Sequence, residues 1–483
     1  MKIIQIVSNY IEGDAISKVV DTMDKSIKSL GIQTELFRGS LTEEIIESGT
    51  FNENDMIMYH LSVRIDPLLY FVKCKKILIF HNITTPELLI GFDVEGPRLD
   101  CEAGLYELKK TPVYFEYAIA ASDYSKKLLI EYGWDTNRII TLPYVVKFDE
   151  LSDTASSGII KKYNDGKTNF TFFGRLFPNK KQEDIIKCFE MYKRKYNNNS
   201  RLILVGSGKA PKYEMLLKKY TKDLGISDDV IFTGFVNQEE YIAYYKISDC
   251  FICMSEHEGF CIPLVEAMFF DVPVIAYNST AIPNTLDGAG ILLNSKEPEI
   301  ISNYMNKVIT DKEYRNLIIN KQRKRVNFLK SDTYISQYAN EISRIINESS
   351  ACNNCIDDCK HFYFGKSINT LKLPTNFKEK SIPIVVYGIG KWGKQLCDHL
   401  SKFQLKSDIV LCDGKNAFGK YDKYEIQSVE NTIKTYSDGF WIITPEKKET
   451  AIEMILLLIR NNISTDRIAT YDGYQNIVSM IEG

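Results

Sequence analysis

Two glutamates follow an apolar run at a spacing that suits sugar and phosphate chemistry. Residues 250–254 read as a buried strand, and Glu258 and Glu266 come after it, separated by seven residues. Pro263 suits the first turn of a helix, so residues 258–262 are predicted to form the strand-to-helix loop, with Glu266 within that first turn. Backbone N–H groups at a helix start attract phosphate, while carboxylates attract the hydroxyls of a sugar or ribose. The pair alone is also typical of a helix-capping loop with two solvated carboxylates.

Basic residues and glycines stand at neighbouring strand ends. The segment 173–180 reads Phe-Gly-Arg-Leu-Phe-Pro-Asn-Lys and places Arg175 and Lys180 after a predicted strand, where both cations could neutralise a diphosphate. Lys180 alone would be read as a solvated surface lysine. Later strand ends carry Gly206 and the pair Gly234-Phe235. Each of these is only a weak turn signal by itself.

Together, these motifs resemble the retaining glycosyltransferases of family 4. The resemblance rests on the Glu-Gly-Phe-x-x-Pro-x-x-Glu context, the Gly-Arg-Leu loop and the two glycine motifs, in the family's order over residues 173–266. It implies the GT-B fold, in which two doubly wound domains face a cleft. It also implies that Glu258 contacts the transferred sugar and that Glu266 binds the donor ribose. The remaining donor contacts implied are Gly206, Gly234, Phe235, Gly259, Phe260 and Cys261.

The N-terminal third supplies further candidates. His60 and His81 each end a predicted strand, and His81-Asn82-Ile83-Thr84 resembles the position of a family histidine near the donor sugar. A histidine after a strand is otherwise a structural residue, and we keep that alternative open. The loop after the first strand contains Gly13, which would let the backbone approach the diphosphate. That loop resembles a bacterial subgroup of the family, and its alternative interpretation is a simple turn.

Alternating strand and helix patterns predict an α/β protein with parallel sheets. We expect an N-terminal, acceptor-side domain at 1–150 and a nucleotide-sugar domain at 165–330, with a polar linker in between. Residues 331–350 are expected to form a helix that crosses back to the first domain, as in the family. A Cys-containing linker, 351–380, would lead to a smaller Rossmann-like domain at 381–483.

This last segment has a dinucleotide-fold signature. Gly388, Gly390 and Gly393 follow a predicted strand and open a helix, and Asp413 ends the next strand. NAD binding is one interpretation, and a domain that binds another ligand or mediates assembly is the other. In the linker, Cys352, Cys355, Cys359 and His361 could bind zinc, although structural zinc sites usually gather two separated ligand pairs. Otherwise they are linker thiols.

Composition limits the classes of function. The 483 residues are 44% hydrophobic and 25% charged, which excludes wholesale disorder, and a formal net charge of -3 gives no general attraction to nucleic acid. No apolar run approaches the roughly 20 residues that span a bilayer. Eleven cysteines, mostly single and within apolar runs, suggest a reducing compartment. We expect a cytoplasmic protein, with peripheral contact at the inner face of the membrane left open.

The resemblance implies transfer of a hexosyl unit from an NDP-sugar, with retention of configuration, to a glycan, lipid-linked or protein-linked acceptor. Arg175 and Lys180 would stabilise the leaving diphosphate, with His81 close to the sugar. No Asp-x-Asp pair occurs in the chain, so we expect no metal requirement and no other cofactor. The alternatives are a non-catalytic scaffold that binds nucleotide sugar, and an NAD-dependent activity in the C-terminal domain.

Overall fold

The computed structural model describes most of the chain between residues 2 and 471. The parts outside the description are 1, 9, 11–13, 42–44, 46–47, 49, 53, 67, 70–71, 73, 110, 209, 349–381, 402–407, 415–418, 445–449, 451–453, 456, 459–460, 464–466 and 472–483. Gly13 and the linker residues Cys352, Cys355, Cys359 and His361 therefore lie outside the described residues. None of the helices in the described part of the chain has the length and apolarity that crossing a membrane requires.

The first sheet is parallel and six-stranded, with strand order β2-β1-β3-β4-β5-β6. β1, β3 and β4 are apolar and almost wholly buried, as expected for central strands covered on both faces. The strands are β1 Ile3–Val7, β2 Thr34–Arg38, β3 Met56–Leu61, β4 Lys75–Phe80, β5 Tyr117–Ala120 and β6 Ile139–Thr141. The helices are α1 Ala15–Ser29, α2 Glu95–Leu108, α3 Thr111–Tyr114 and α4 Asp123–Glu131.

The second sheet is also parallel and six-stranded, in the order β12-β11-β10-β7-β8-β9. Its strands are β7 Thr168–Phe173, β8 Ser200–Val205, β9 Val230–Phe232, β10 Cys250–Cys253, β11 Val274–Tyr277 and β12 Ile291–Leu293. Its helices are α5 Ser157–Tyr163, α6 Gln182–Lys195, α7 Pro211–Asp223, α8 Gln238–Lys246, α9 Ile262–Phe269, α10 Ile282–Leu286, α11 Pro298–Thr310 and α12 Lys312–Lys330. β7 and β10 are neighbours, so the loops that follow them meet at one edge of the sheet.

Two parts of this region lie outside the alternation of strands and helices: the stretch expected to be a linker, and the segment expected to cross back to the first domain. The polar stretch read as a linker contains α5, which begins where the Ser156 side chain caps the N–H of Ile159. Helix α13, Asp332–Glu348, follows the second sheet in the chain but packs against the first. Its residues Tyr338, Ile342 and Ile345 share a buried cluster with residues of β1, β3 and β4.

The chain separates into two compact units, of which the first contains both of these sheets and α13. The second unit contains a third six-stranded sheet, in the order β15-β16-β14-β13-β17-β18. Its described elements are β13 Ile384–Tyr387, α14 Lys391–Leu400, β14 Ile409–Cys412, β15 Lys420–Tyr421, β16 Tyr424–Gln427, α15 Val429–Thr435, β17 Phe440–Ile443 and β18 Ile468–Thr470. β15 and β16 form an antiparallel hairpin at the edge of an otherwise parallel sheet. The predicted α/β class with three doubly wound sheets is therefore confirmed.

Candidate functional site

The loop after β10 carries the first of the two glutamates. β10 is fully buried, and α9 begins at Ile262 with Pro263 as its second residue. Cys261 is the N-cap residue and has a left-handed backbone, with a φ of 71°. Glu266 is thus the fifth residue of α9 and lies in its second turn. The prediction that Glu266 sits in the first turn was wrong, because the helix starts at Ile262, one residue before the proline.

Glu258 is held by contacts from three directions. Its N–H donates to Thr280 Oγ1 at 2.9 Å, and its carbonyl accepts a hydrogen bond from Asn82 Nδ2 at 3.2 Å. Its carboxylate lies 2.7 Å from Lys180 Nζ, with only 7% of the residue exposed. Asn82 belongs to the loop after β4, so loops from both sheets fix the backbone of Glu258, while Lys180 holds its carboxylate.

Lys180 is the cation that the sequence places after β7. It ends the short 3₁₀ turn Pro178–Lys180, and the next residue, Lys181, has a left-handed backbone with a φ of 53°. Burial alone would lower the pKa of Lys180, but the adjacent Glu258 carboxylate leaves that pKa raised. The ammonium is therefore charged and paired, rather than solvated. Arg175 is exposed, and among the described residues no hydrogen-bond or ion-pair partner of its guanidinium is found.

Glu266 is buried and held by two tyrosines that the sequence analysis did not identify. Tyr241 and Tyr245 on α8 donate to Glu266 Oε2 at 2.6 and 3.0 Å. Burial, reinforced by the glutamate charge, raises the pKa of both phenols well above its ordinary value, so both remain donors. Lys18 on α1 brings its Nζ to 3.7 Å from the other carboxylate oxygen. The four-residue spacing of the tyrosines is the only signal in the sequence that they share a helix face.

Glycines bring backbones together around this loop. A Cβ at Gly259 would lie 2.6 Å from the carbonyl oxygen of His81 and 3.0 Å from Cβ of Asn82. Gly206 has a φ of 134° and forms an isolated bridge with Gly234. Of the predicted aromatic contacts, Phe235 is 83% exposed and Phe260 is buried against Tyr144.

His60 and His81 belong to one buried hydrogen-bond chain. His60 Nδ1 lies 2.8 Å from His81 Nε2, and His60 Nε2 lies 3.0 Å from Gln5 Oε1. The hydroxyl of Tyr144 lies 2.6 Å from His81 Nδ1. Since the glutamine oxygen can only accept and the buried phenol donates, both imidazoles carry their proton on Nε2. Burial lowers the pKa of His81 to about 3, so its imidazole is neutral. Both nitrogens of this imidazole are engaged in the hydrogen-bond chain.

A cavity of about 360 Å³ lies on the first-sheet side of the Glu258 loop. His257 lines it, together with Thr85, Glu87, Tyr124 and Tyr132. Nδ1 of His257 lies 3.0 Å from Thr85 Oγ1, and burial lowers the pKa of this histidine to about 4. A neutral imidazole, tyrosines and a carboxylate form a lining suited to a polar, hydroxylated ligand.

In the second compact unit, the glycine loop after β13 requires glycine at two positions. Gly388 has a φ of 100°, and a Cβ at Gly393 would collide with the Gly388 carbonyl. Asp413 accepts a hydrogen bond from the N–H of Ile389 at 2.8 Å. Gly390 is exposed and begins the turn into α14. One Asp413 oxygen is therefore occupied within the loop, instead of being directed to a ribose.

The sequence of the second sheet matches a known family. Residues 159–325 match the family of glycosyl transferases group 1. An uncharacterized glycosyltransferase of Methanocaldococcus jannaschii is 30% identical over 164 residues, which are 34% of this chain and 41% of the relative. A GDP-mannose-dependent alpha-(1-6)-phosphatidylinositol monomannoside mannosyltransferase of Mycobacterium tuberculosis is 27% identical over 206 residues, 40% of this chain and 50% of the relative. The chain thus spans about half the length of these relatives.

Solved structures share the architecture of both parallel sheets. The crystal structure of Anabaena HepE in complex with UDP and glucose has a TM-score of 0.56 at 17% identity, and the match covers 72% of this chain and 99% of that one. At this identity the likeness concerns the fold. The predicted GT-B fold is confirmed, with the third sheet as an addition. The family match and the relatives support a GT-B glycosyltransferase.

Proposed function

We propose that this protein transfers a hexosyl unit from an NDP-sugar to an acceptor hydroxyl with retention of configuration. The observation that carries the proposal is the buried Lys180–Glu258 pair, in which the loops after β7 and β10 place a cation and a carboxylate side by side. Glu266 lies in the second turn of α9, the helix that follows the Glu258 loop, and two phenols donate to it. The cation would neutralise a diphosphate, and the carboxylates would accept hydrogen bonds from sugar hydroxyls.

In this proposal, residues 165–330 bind the nucleotide sugar. Glu258 orients the sugar, and Glu266 accepts from the ribose hydroxyls. Lys180 and the exposed Arg175 stabilise the negative charge that develops on the departing diphosphate. The diphosphate accepts the proton of the attacking hydroxyl on the face that it leaves. We propose no metal and no cofactor for this step, since Lys180 and Arg175 would supply the positive charge at the departing diphosphate.

Residues 1–150 would supply the acceptor side. The cavity of about 360 Å³ beside His257 supports this division, because its lining comes mainly from the first sheet's loops and helices. A glycan, a lipid-linked sugar or a glycosylated protein would each offer the hydroxyls that this lining suits. Residues 331–350 would join the two halves through α13. We propose a bacterial-type enzyme of the cytoplasm that works in glycan biosynthesis, with lipid-linked acceptors reached at the inner face of the membrane.

For His81 we propose an indirect part in the reaction. Both imidazole nitrogens are bonded within the protein, whereas its carbonyl oxygen stands next to Gly259 in the Glu258 loop. The histidine would then position the loop, and its side chain would reach the sugar only after the buried chain is broken. Gly206, Gly234, Phe235, Gly259, Phe260 and Cys261 stay proposed donor contacts, as does Gly13.

The experiment that tests this proposal measures nucleoside diphosphate release from a panel of donors in the presence of EDTA. GDP-mannose and UDP-glucose are the first donors in the panel. The mycobacterial relative is named as GDP-mannose-dependent, and HepE has a crystal structure in complex with UDP-glucose. We expect slow hydrolysis of one donor without added acceptor. Binding of one donor without any release, even with glycan acceptors added, would favour the non-catalytic scaffold.

The C-terminal segment 381–483 is proposed as an accessory ligand-binding or assembly domain. Gly388, Gly393 and Asp413 form a closed turn at the start of α14, in the place where dinucleotide folds hold a pyrophosphate. NAD is the less favoured ligand, because one Asp413 oxygen is already bonded to Ile389. Calorimetric titration of the full chain with NAD tests this alternative, and heat that is lost in Gly390→Asp would support it.

A further inference from the structure

Two cysteines and a glutamate converge at the Glu258 loop. Cys253 ends β10, Cys261 caps α9, and both thiols lie beside the Glu258 carboxylate. One ligand atom from each residue, two sulfurs and one oxygen, lies within 4.8 Å of the other two. In the part of the chain that the structure describes, this is the only such cluster of three metal-binding side chains.

The trio has the composition of a soft-metal site. Thiolates select Zn²⁺ over Mg²⁺ and Mn²⁺, which prefer oxygen ligands. Zinc takes sulfur at about 2.3 Å and carboxylate oxygen at about 2.0–2.2 Å in tetrahedral geometry, so its ligand atoms lie roughly 3.5–3.8 Å apart. From separations of at most 4.8 Å, the three atoms would have to approach one another by no more than about 1.3 Å, a movement within the reach of side-chain rotation.

The surrounding charges balance a divalent ion. Two thiolates and one carboxylate carry three negative charges, and Zn²⁺ with the Lys180 ammonium carries three positive charges. Lys180 Nζ is already 2.7 Å from Glu258 Oε1, so the counter-charge is in place before the metal arrives. A buried site with a net charge near zero avoids most of the cost of burying ions.

Cys261 has a left-handed backbone, which is a second observation that sets this residue apart. A φ of 71° is rare for a residue with a side chain, and it costs about 1 kcal/mol or more relative to glycine. Cys261 is also the half-buried member of the trio, whereas Cys253 and Glu258 are buried. An ion from solvent would therefore meet Cys261 first.

We propose that Cys253, Cys261 and Glu258 form a site for Zn²⁺ that competes with the sugar donor. Binding replaces two thiol protons, which leave to solvent, by one metal ion, and the bound ion occupies the carboxylate that would orient the sugar. The metal site itself is independent of the proposed glycosyl transfer, whereas its inhibitory effect rests on that function. The site regulates the enzyme, and turnover proceeds without it.

The test measures zinc binding to the full chain by competition with a chromophoric chelator. The starting protein carries Cys352→Ser, Cys355→Ser and Cys359→Ser, so that the linker thiols cannot contribute. We expect one equivalent of Zn²⁺ per chain, and with Co²⁺ the absorption of cobalt–thiolate charge transfer. Both signals should disappear in Cys261→Gly and in Cys253→Ser and persist in Cys101→Ala, a buried thiol on α2.

Cys261→Gly keeps the test decisive if Cys253→Ser does not fold, because glycine accepts the left-handed backbone. Absence of zinc binding in the starting protein, or binding that survives Cys261→Gly, would overturn the proposal. Where a donor is turned over, Zn²⁺ should reduce the rate at least tenfold, Mg²⁺ should not, and EDTA should restore it. Zinc binding without any turnover would count against the proposed function and leave the metal site standing.

Discussion

Nζ of Lys180 lies 2.7 Å from Oε1 of Glu258, and both side chains are largely buried. The two residues are 78 positions apart in the chain and meet because β7 and β10 are adjacent parallel strands. A pair of this kind stabilises the fold modestly as a pair, but an unpaired partner is costly.

Removing one member of this pair should therefore cost more than removing both. We expect Lys180→Met to lower the free energy of unfolding by about 3 kcal/mol, because it leaves the Glu258 charge buried without a partner. The double variant Lys180→Met/Glu258→Gln should be more stable than Lys180→Met alone. Urea denaturation measures Lys180→Met, Glu258→Gln and the double variant, and Lys181→Met, whose ammonium lies 3.5 Å from Glu256, is the matched control. Additive losses in the double variant would show that the charges do not interact.

The tyrosines at Glu266 should affect donor binding more than the chemical step. Tyr241→Phe removes the 2.6 Å hydrogen bond to the carboxylate, which frees the side chain to move, so we expect the donor KM to rise about tenfold with kcat little changed. Tyr245→Phe should have a smaller effect, since its contact is 3.0 Å. Steady-state kinetics measure both, and Tyr220→Phe on α7 serves as the control. An unchanged KM in Tyr241→Phe would argue against a ribose-binding role for Glu266.

Gly259 should not tolerate a side chain. A Cβ there would press on the His81 carbonyl at 2.6 Å, so Gly259→Ala should push the loops after β4 and β10 apart and reduce donor turnover at least tenfold. Gly158→Ala is the matched control. Its Cβ meets only the Ser156 hydroxyl at 3.8 Å, and alanine should stabilise α5 by about 0.5–1 kcal/mol. Wild-type turnover in Gly259→Ala would show that donor turnover does not depend on the close approach of the loops after β4 and β10.

The buried histidines should make the fold sensitive to mild acid. Burial lowers the pKa of His60, His81 and His257 in the folded protein, and His81 and His257 reach about 3 and 4. The unfolded chain binds protons near pH 6.5, so stability is present above that pH and is lost as the pH falls toward the folded pKa values. Each histidine should contribute about 1.4 kcal/mol per pH unit below pH 6. Urea denaturation between pH 7.5 and 5 measures the slope.

One histidine can be tested separately. His257→Gln should reduce the slope of the free energy of unfolding by one histidine's share, because glutamine does not titrate. Tyr132→Phe, on the same cavity, should leave the slope unchanged. A slope that is the same in His257→Gln and in the wild type would mean that His257 is already protonated in the fold.

Much of the fold could be predicted because its central strands are short apolar runs bounded by polar residues. The edge hairpin of β15 and β16 was missed, since Ile426 is its one buried hydrophobic residue and the rest reads as a polar loop. Helix α5 was hidden in the same way, within a stretch taken as a linker. Burial on one side only leaves too weak a pattern for either element.

The site was predictable in its residue types and less so in its contacts. The sequence places His60 and His81 at strand ends, but only the register of β3 against β4, with Leu61 opposite Phe80, brings the two rings together. The approach of Lys18 to Glu266 depends on how α1 meets the start of α9, which no local pattern encodes. The thiol trio likewise depends on the left-handed turn at Cys261.

The central claim is that Glu258 orients the transferred sugar, and one comparison tests it most directly. Nucleoside diphosphate release from the accepted donor, with EDTA present, is measured for the wild type, Glu258→Gln and Glu256→Gln. Glu256 is the control, because its carboxylate pairs with Lys181 and Lys296 away from Lys180. We predict a loss of about 10²–10³ in Glu258→Gln and near wild-type release in Glu256→Gln. Equal rates in Glu258→Gln and the wild type would contradict the assignment of this carboxylate.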